Sequence, residues 1–384
     1  MKASTRYARI FPIIFLVVLL VPLLQHLFEP VYTLPLQGAF DKPQQPTFSF
    51  ASIQSGQFQQ KTSTFLSHHF GFQPDVVRVK NQLDFWFFDY TARQVIVGKD
   101  NYLFEKPYVK AHLREDFSGT KLLNAKLDKL KTIQQTLAQN GTQLLVLLAP
   151  NKATFYTEFL PEGLQPTAND TTDYEFYKRG LAERGIQHID FNSLFLQWKP
   201  TAQHPLFTRC GTHWSMYGSV LAIDSTVNRM EQLHQSPIAH FKIAETVISK
   251  KPQHTDDDLN KLLNLVFPIS SFDMAYPQLV FDTNNFRPNV LAIADSYYWS
   301  FYFLGINERL FDAESAFWYY NKSVYRQSIE KQSDVDLNNL KNELAHRDFV
   351  ILMAGEPNLD QFAFGFVEEV YRLYAEEENK RNVE

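Results

Sequence analysis

The sequence predicts an α/β fold in which a mostly parallel sheet is covered on both faces by helices, carried behind one N-terminal membrane-spanning helix. Three observations lead there. From residue 121 onward, segments with helical periodicity alternate with short apolar runs. Those runs are continuously apolar rather than alternating, the pattern of strands buried on both faces. The chain also opens with a long apolar stretch behind three cations.

At the amino terminus, Lys2, Arg6 and Arg9 precede Ile10–Phe28, which as a helix spans about 28 Å, close to one hydrocarbon core. The cations place residues 1–9 on the cytoplasmic side and everything after Phe28 outside. A cleaved signal peptide is the rival reading, but Glu29-Pro30-Val31-Tyr32 offers no small-residue cleavage site. Residues 29–57, rich in Pro, Gln and Ser, read as a linker, and residues 58–384 as the globular domain. Phe58–Phe88 reads as helical, and Arg93–Phe104 as a hairpin around Gly98-Lys99-Asp100-Asn101.

Lys121–Asn140 is a helix with Leu123, Leu127, Leu130 and Leu137 on one face, followed by the strand Leu144–Ala149. Asp173–Arg184 and Ile186–Phe191 repeat that pair. Asn289–Ala294 is a further strand, Leu337–His346 and Asp348–Ala354 a further helix–strand pair, and Gln361–Glu378 a closing helix. Residues 236–286 interrupt the alternation and read as an insertion. Within it, Thr255-Asp256-Asp257-Asp258 could hold a cation but reads better as the acidic first turn of a helix.

Composition excludes several classes. The chain has 384 residues, 45% of them hydrophobic, enough for one substantial core. A net charge of −5 with dispersed Lys and Arg argues against a nucleic-acid partner. The single cysteine, Cys210, excludes an internal disulfide and a cysteine-based metal site, and reads as a small buried hydrophobe. The 34 Phe suit sugar stacking, but core filling accounts for most such residues.

Ligands of parallel sheets bind beyond the carboxyl ends of the strands, which directs attention to the residues just past each strand. After Asn289–Ile293 comes Ala294-Asp295-Ser296-Tyr297-Tyr298. A serine at a strand-to-helix turn presents its hydroxyl where backbone N–H groups can stabilise an oxyanion, although a helix cap would also explain Asp295 or Ser296. Gly211-Thr212-His213-Trp214-Ser215 precedes a helix beginning near Ser215. His213 is a candidate general base or a structural histidine. Asn151-Lys152 comes after the first strand, where Lys152 either meets an anionic group or is simply solvated. Gly355-Glu356-Pro357-Asn358 ends the last strand and is equally readable as a turn.

Taken together, these segments resemble the SGNH-hydrolase-like domain of the alginate O-acetyltransferase family, from about Phe58 to the carboxyl terminus. Val95–Phe104 is similar to the family's opening hairpin, and Leu147–Tyr156 with Leu160-Pro161 to its Pro-x-Lys segment. Thr212-His213-Trp214-Ser215 is similar to its D-x-H-W-[ST] motif, and Asp295-Ser296 to its nucleophile turn. The resemblance implies a three-layer sandwich in which Ser296 attacks an acyl donor, His213 takes its proton, and the acyl group passes to a sugar hydroxyl. It further implies Lys152, Asn151, Tyr297 and Asn358 as substrate-binding or oxyanion residues, with no cofactor and no metal. A polysaccharide would be the acceptor, and a multi-spanning membrane-bound O-acyltransferase would relay the acetyl donor. The setting would be the bacterial inner membrane, with the domain facing the periplasm or cell exterior.

The chain departs from the motif at Gly211, where the family has aspartate two residues before histidine. The imidazole is then oriented by a carboxylate from elsewhere or by a backbone carbonyl, works in a dyad, or belongs to a silent site. Asp190, at the end of the second strand, and Asp295 are the candidate carboxylates. Asp295 is the less suited, since a residue adjacent to Ser296 points away from it. The expected function is O-acyl transfer, with a carbohydrate esterase or an inactive polysaccharide-binding or assembly protein as alternatives.

Overall fold

The computed structural model describes residues 3–38, 43–88, 94–166 and 171–381. They form two compact units, Met1–Arg93 with Asn260–Ile269, and Gln94–Leu259 with Ser270–Glu384.

The first unit begins with the helix Ala3–Phe28. Its stretch Ile10–Phe28, of mean hydropathy 2.5, is long and apolar enough by length and composition to cross a membrane. The run expected as one helix from Phe58 to Phe88 is two, Gln57–His69 and Gln73–Phe88. They break at Phe70-Gly71-Phe72, where Phe70 is extended and Phe72 takes a φ of 64°. A Cβ on Gly71 would lie 2.2 Å from Pro22 O, so the turn approaches the first helix more closely than any other residue permits. Arg78 donates to Leu34 O and Pro35 O at 2.7 and 2.8 Å, which ties the segment after the apolar helix to Gln73–Phe88.

The second unit carries the strands. β1 (Val95–Val97) and β2 (Leu103–Glu105) form the expected antiparallel hairpin; Arg93, where that reading began, lies outside the described residues. Then come β3 (Gln143–Leu148), β4 (His188–Asp190), β5 (His240–Ser249), β6 (Met274–Asp282), β7 (Val290–Ala294), β8 (Ala316–Tyr319), β9 (Ser323–Tyr325), β10 (Ser333–Asp334) and β11 (Phe349–Ala354). Seven of these make one sheet in the order β10-β9-β8-β7-β11-β3-β4, parallel from β8 to β4 with an antiparallel edge at β9 and β10.

The apolar strand runs have a direct explanation. Leu145, Leu147, Ala292, Ile351 and Met353 pack into the core on one face, and Leu144, Val146, Leu291, Ile293, Val350 and Leu352 into the core on the other. Helix Met216–His234 closes the first face, with Val220, Ile223 and Val227 buried. Helices Thr120–Gln139, Asp173–Glu183 and Phe366–Arg381 close the second, the first through Leu123, Leu127, Leu130 and Leu137 as its spacing predicts. This is the three-layer α/β sandwich expected from the alternation. Because the central strands are parallel, the residues after β3, β7, β8 and β11 emerge at one edge.

Residues 236–286 contain β5 and β6, a long antiparallel hairpin with the helix Asp258–Leu263 between its strands. Most of β5 is exposed on both faces, so that strand carries no apolar alternation to mark it in the sequence.

Candidate active site

Ser296 opens a short 3₁₀ turn, Ser296–Tyr298, directly after β7, and Asp295 caps that turn by accepting from Tyr297 N. The apolar strand must end where its backbone leaves the sheet, and the turn lifts the Ser296 hydroxyl off the carboxyl edge. The Ser296 amide donates to no acceptor among the described residues. His213 sits in the loop before helix Met216–His234, whose N-cap Ser215 accepts from Gly218 N at 2.9 Å. Beside it, Trp214 is buried edge-on to Tyr297, with its Nε1 donating to Ser300 Oγ at 3.2 Å.

The two predicted residues meet. His213 Nε2 lies 2.7 Å from Ser296 Oγ, within hydrogen-bonding distance of a nucleophile and base. The other ring nitrogen, Nδ1, lies 2.7 Å from Asp258 Oδ2, and Asp258 Oδ1 accepts from Thr212 N at 2.8 Å. Asp258 therefore holds both the imidazole and the backbone that carries it. Burial alone would lower the His213 pKa, but the Asp258 hydrogen bond and charge, followed by the charges of Asp295 and Glu105, outweigh it and leave the pKa raised. Glu105, at the end of β2, accepts from Thr212 Oγ1 at 3.2 Å, and burial raises its own pKa.

The orienting carboxylate is thus neither of the two expected. Asp190 accepts from Tyr174 Oη at 2.9 Å, pairs with Lys178 at 3.1 Å and caps helix Phe191–Trp198. Asp295 turns away from His213 as its adjacency to Ser296 suggested, accepting from Gly355 N at 2.7 Å and Asn358 Nδ2 at 2.9 Å. The signal that could have found Asp258 was the acidic run 255–258 itself. It does begin a helix, and residue type alone assigns its carboxylates to that helix start and to nothing more distant.

Gly211 explains why the motif position is empty of a carboxylate. A Cβ there would lie 2.7 Å from Thr208 Oγ1, 2.7 Å from Thr255 O and 3.0 Å from Asp256 O. The backbone of the insertion occupies that space, and two residues on it delivers Asp258.

The four substrate-binding candidates are placed differently from expectation. Lys152 is buried, with Nζ donating to Leu103 O, Arg209 O and Gly211 O at 2.7, 2.8 and 2.7 Å. Burial lowers its pKa to about 7, and its three hydrogen bonds all go to backbone carbonyls. Its task is to hold the loop leading to His213. Asn151 is fully buried between Tyr108 O and Glu356 Oε2, at 2.9 and 2.6 Å. Tyr297 is buried with its hydroxyl on Pro150 O at 2.7 Å, and its ring forms the floor under His213 at a centroid distance of 4.8 Å. Asn358 stands beside the nucleophile turn, but its amide is directed to Asp295. Lys152, Asn151 and Tyr297 shape the site from behind. Cys210 is buried as expected, and burial raises its thiol pKa to about 11.

Residues 95–275 match the family model described as SGNH hydrolase-like domain, acetyltransferase AlgX, a stretch that includes His213 and Asp258 and ends before Ser296. A probable alginate O-acetylase AlgJ of Pseudomonas putida is 27% identical over 164 residues, 41% of this chain and 40% of that protein. Its namesake of Azotobacter vinelandii is 30% identical over 139 residues, 36% of this chain and 34% of that one. The matched stretch thus spans well under half the length of these curated relatives. Among solved structures, the O-acetyltransferase domain of P. putida AlgJ is similar at 18% identity and a TM-score of 0.47, covering 73% of this chain and 100% of that one. Pseudomonas aeruginosa AlgX is similar at 14% and 0.37, covering 68% and 55%.

Proposed function

We propose that this chain is an O-acetyltransferase acting on an exported polysaccharide through Ser296, His213 and Asp258, a reading supported by the match of residues 95–275 to the SGNH hydrolase-like domain of acetyltransferase AlgX. The observation that carries the reading is the relay Ser296 Oγ–His213 Nε2 and His213 Nδ1–Asp258 Oδ2, 2.7 Å at each link.

In this mechanism His213 Nε2 takes the Ser296 proton as Oγ attacks the donor's acyl carbon, and the Ser296 N–H receives the developing oxyanion. The donor's leaving group departs with the proton from His213, leaving an ester on Ser296. A sugar hydroxyl then gives its proton to His213 while its oxygen attacks that ester. The bond between the acyl carbon and Ser296 Oγ breaks, the sugar ester forms, and the proton returns to Oγ. Asp258 fixes the imidazole tautomer and stabilises its charged form.

Acetyl groups must reach an outward-facing site, so the donor would be relayed by a multi-spanning membrane-bound O-acyltransferase. The cations at Lys2, Arg6 and Arg9 favour a single-pass anchor in the bacterial inner membrane, with the site on the periplasmic or outer side. An esterase would use the same three residues with water as acceptor. An inactive binding protein would have no need of a relay engaged at both imidazole nitrogens.

Release of acetate from p-nitrophenyl acetate by the purified chain, compared with Ser296→Ala, tests the reading. The expected outcome is a loss of about 10³-fold or more in the variant. Equal rates for the two proteins would dismiss the chemistry.

A further inference from the structure

A concavity of about 390 Å³ lies at the carboxyl edge of the sheet, between the turn Tyr320-Asn321-Lys322 after β8 and the segment from Asn358 to Glu368 after β11. Both walls are fixed to the turn that carries Ser296. Tyr320 N donates to Ala294 O at 2.9 Å, and Asn358 Nδ2 donates to Asp295 Oδ2 at 2.9 Å.

Both walls also hold residues that ordinarily avoid left-handed backbone, Tyr320 in one and Ala363 and Phe364 in the other. Tyr320 and Asn321 have φ of 51° and 52°, and Ala363 and Phe364 of 60° and 53°. A turn with two left-handed residues favours Gly, Asn or Asp, so a tyrosine there is kept against local preference. Strain of this kind concentrates where function requires a particular side chain. Here it sets the Tyr320 and Phe364 rings edge to face at 4.8 Å, and Asn321 Nδ2 locks the pair by donating to Phe364 O at 3.1 Å.

Charge narrows the occupant. Lys126 and Lys322 in the lining are balanced by Asp360 and Glu368. Near Ser296 and His213 stand the carboxylates of Glu105, Asp258 and Asp295, while the Lys152 amine is taken up by three carbonyls. An anionic ring presented to Ser296 would meet these carboxylates, with His213 already paired to Asp258.

We propose that this concavity is the acceptor subsite and seats an uncharged sugar ring of the polysaccharide. The ring packs on Tyr320 and Phe364, with its edge toward the polar side chains of Asp360 and Gln361 in the lining. A neighbouring hydroxyl reaches the acyl group on Ser296, losing its proton to His213 as its oxygen takes the acyl carbon. The assignment rests on the acyltransferase reading above.

The test uses the full-length chain in detergent, p-nitrophenyl acetate as donor, and the host's own exported polysaccharide after alkaline deacetylation as acceptor. Polymer-bound acetyl and free acetate are measured together by mass spectrometry and NMR. Tyr320→Gly removes the ring while suiting the backbone, so its Tm should equal or exceed that of the parent. Phe364→Leu removes the partner ring independently. In both, the ratio of transfer to hydrolysis should fall about tenfold or more, and the parent's acceptor KM should not change when salt is raised about tenfold.

Variants that keep the parent ratio would overturn the subsite. So would a parent that releases acetate in a Ser296-dependent way yet acetylates no polymer, an outcome that leaves the serine chemistry standing. An acceptor KM rising steeply with salt would replace the neutral ring with a polyanion. Absence of any Ser296-dependent turnover is the different failure that removes the acyltransferase reading and this one with it.

Discussion

A side chain at position 211 would collide with the backbone of residues 255 and 256, so the aspartate expected two residues before His213 has no room, and Asp258 supplies the carboxylate instead. Restoring the motif with Gly211→Asp should therefore lower stability by about 2–4 kcal/mol, because the clash is with backbone and a buried threonine, and thermal unfolding checks it. Asp258→Asn keeps the shape and removes the charge; kcat should drop on the order of 10²–10⁴-fold, as neutralising the third member of a triad does elsewhere. The pH profile adds a second readout. His213 must be neutral to act as base, and its pKa is raised, so the acid limb of kcat/KM should lie above about pH 6.5 and move down in Asp258→Asn. The same shift fixes the sign of the stability effect. The His213–Asp258 pair contributes fully below the unfolded histidine pKa, and that contribution is lost as pH rises through the raised folded value. Lys152→Met strips the donor from three carbonyls, and should cost about 3 kcal/mol together with activity, read as a lower Tm and a reduced kcat.

Among the elements, the insertion matters more to the site than its exposed hairpin suggests. Its helix starts at Asp258, and Leu259 N donates to Cys210 O at 3.1 Å, so the helix start is stitched to the His213 loop at two successive residues. On the other side of His213, Ser215 caps helix Met216–His234 and its hydroxyl donates to Pro205 O at 2.7 Å. Ser215→Ala should cost about 1 kcal/mol by chemical denaturation and loosen the imidazole, lowering kcat more than it raises KM for a small ester. The caps were legible: Ser215 and the 255–258 run both read as helix starts from residue type alone. What the start at 258 faced was not legible, since a cap is local chemistry and its partner lies 45 residues away.

At the scale of the whole molecule, one apolar helix and one α/β unit divide the work. If Ile10–Phe28 anchors the chain, the full-length protein should stay with membranes through an alkaline carbonate wash, and a variant lacking residues 1–28 should be released. Recovery of both forms in the soluble fraction would contradict the anchor. Within the α/β unit, parallel strands bring the ends of β3, β7, β8 and β11 to one edge. Residues after β7, β8 and β11 can therefore build both the serine turn and the concavity beside it.

The parallel sheet, the helices that cover it, and the serine and histidine at its edge are all written in the order of the amino acids. Burial on both faces writes apolar runs into strands such as 144–148, and strand ends dictate where polar chemistry emerges. Long-range packing alone determines that Asp258 rather than Asp190 or Asp295 orients His213, and that Lys152 and Asn151 work from behind the site. It also draws Tyr320 and Phe364 together. Those pairings depend on loops meeting across long separations, where neither periodicity nor local propensity records which group finds which partner.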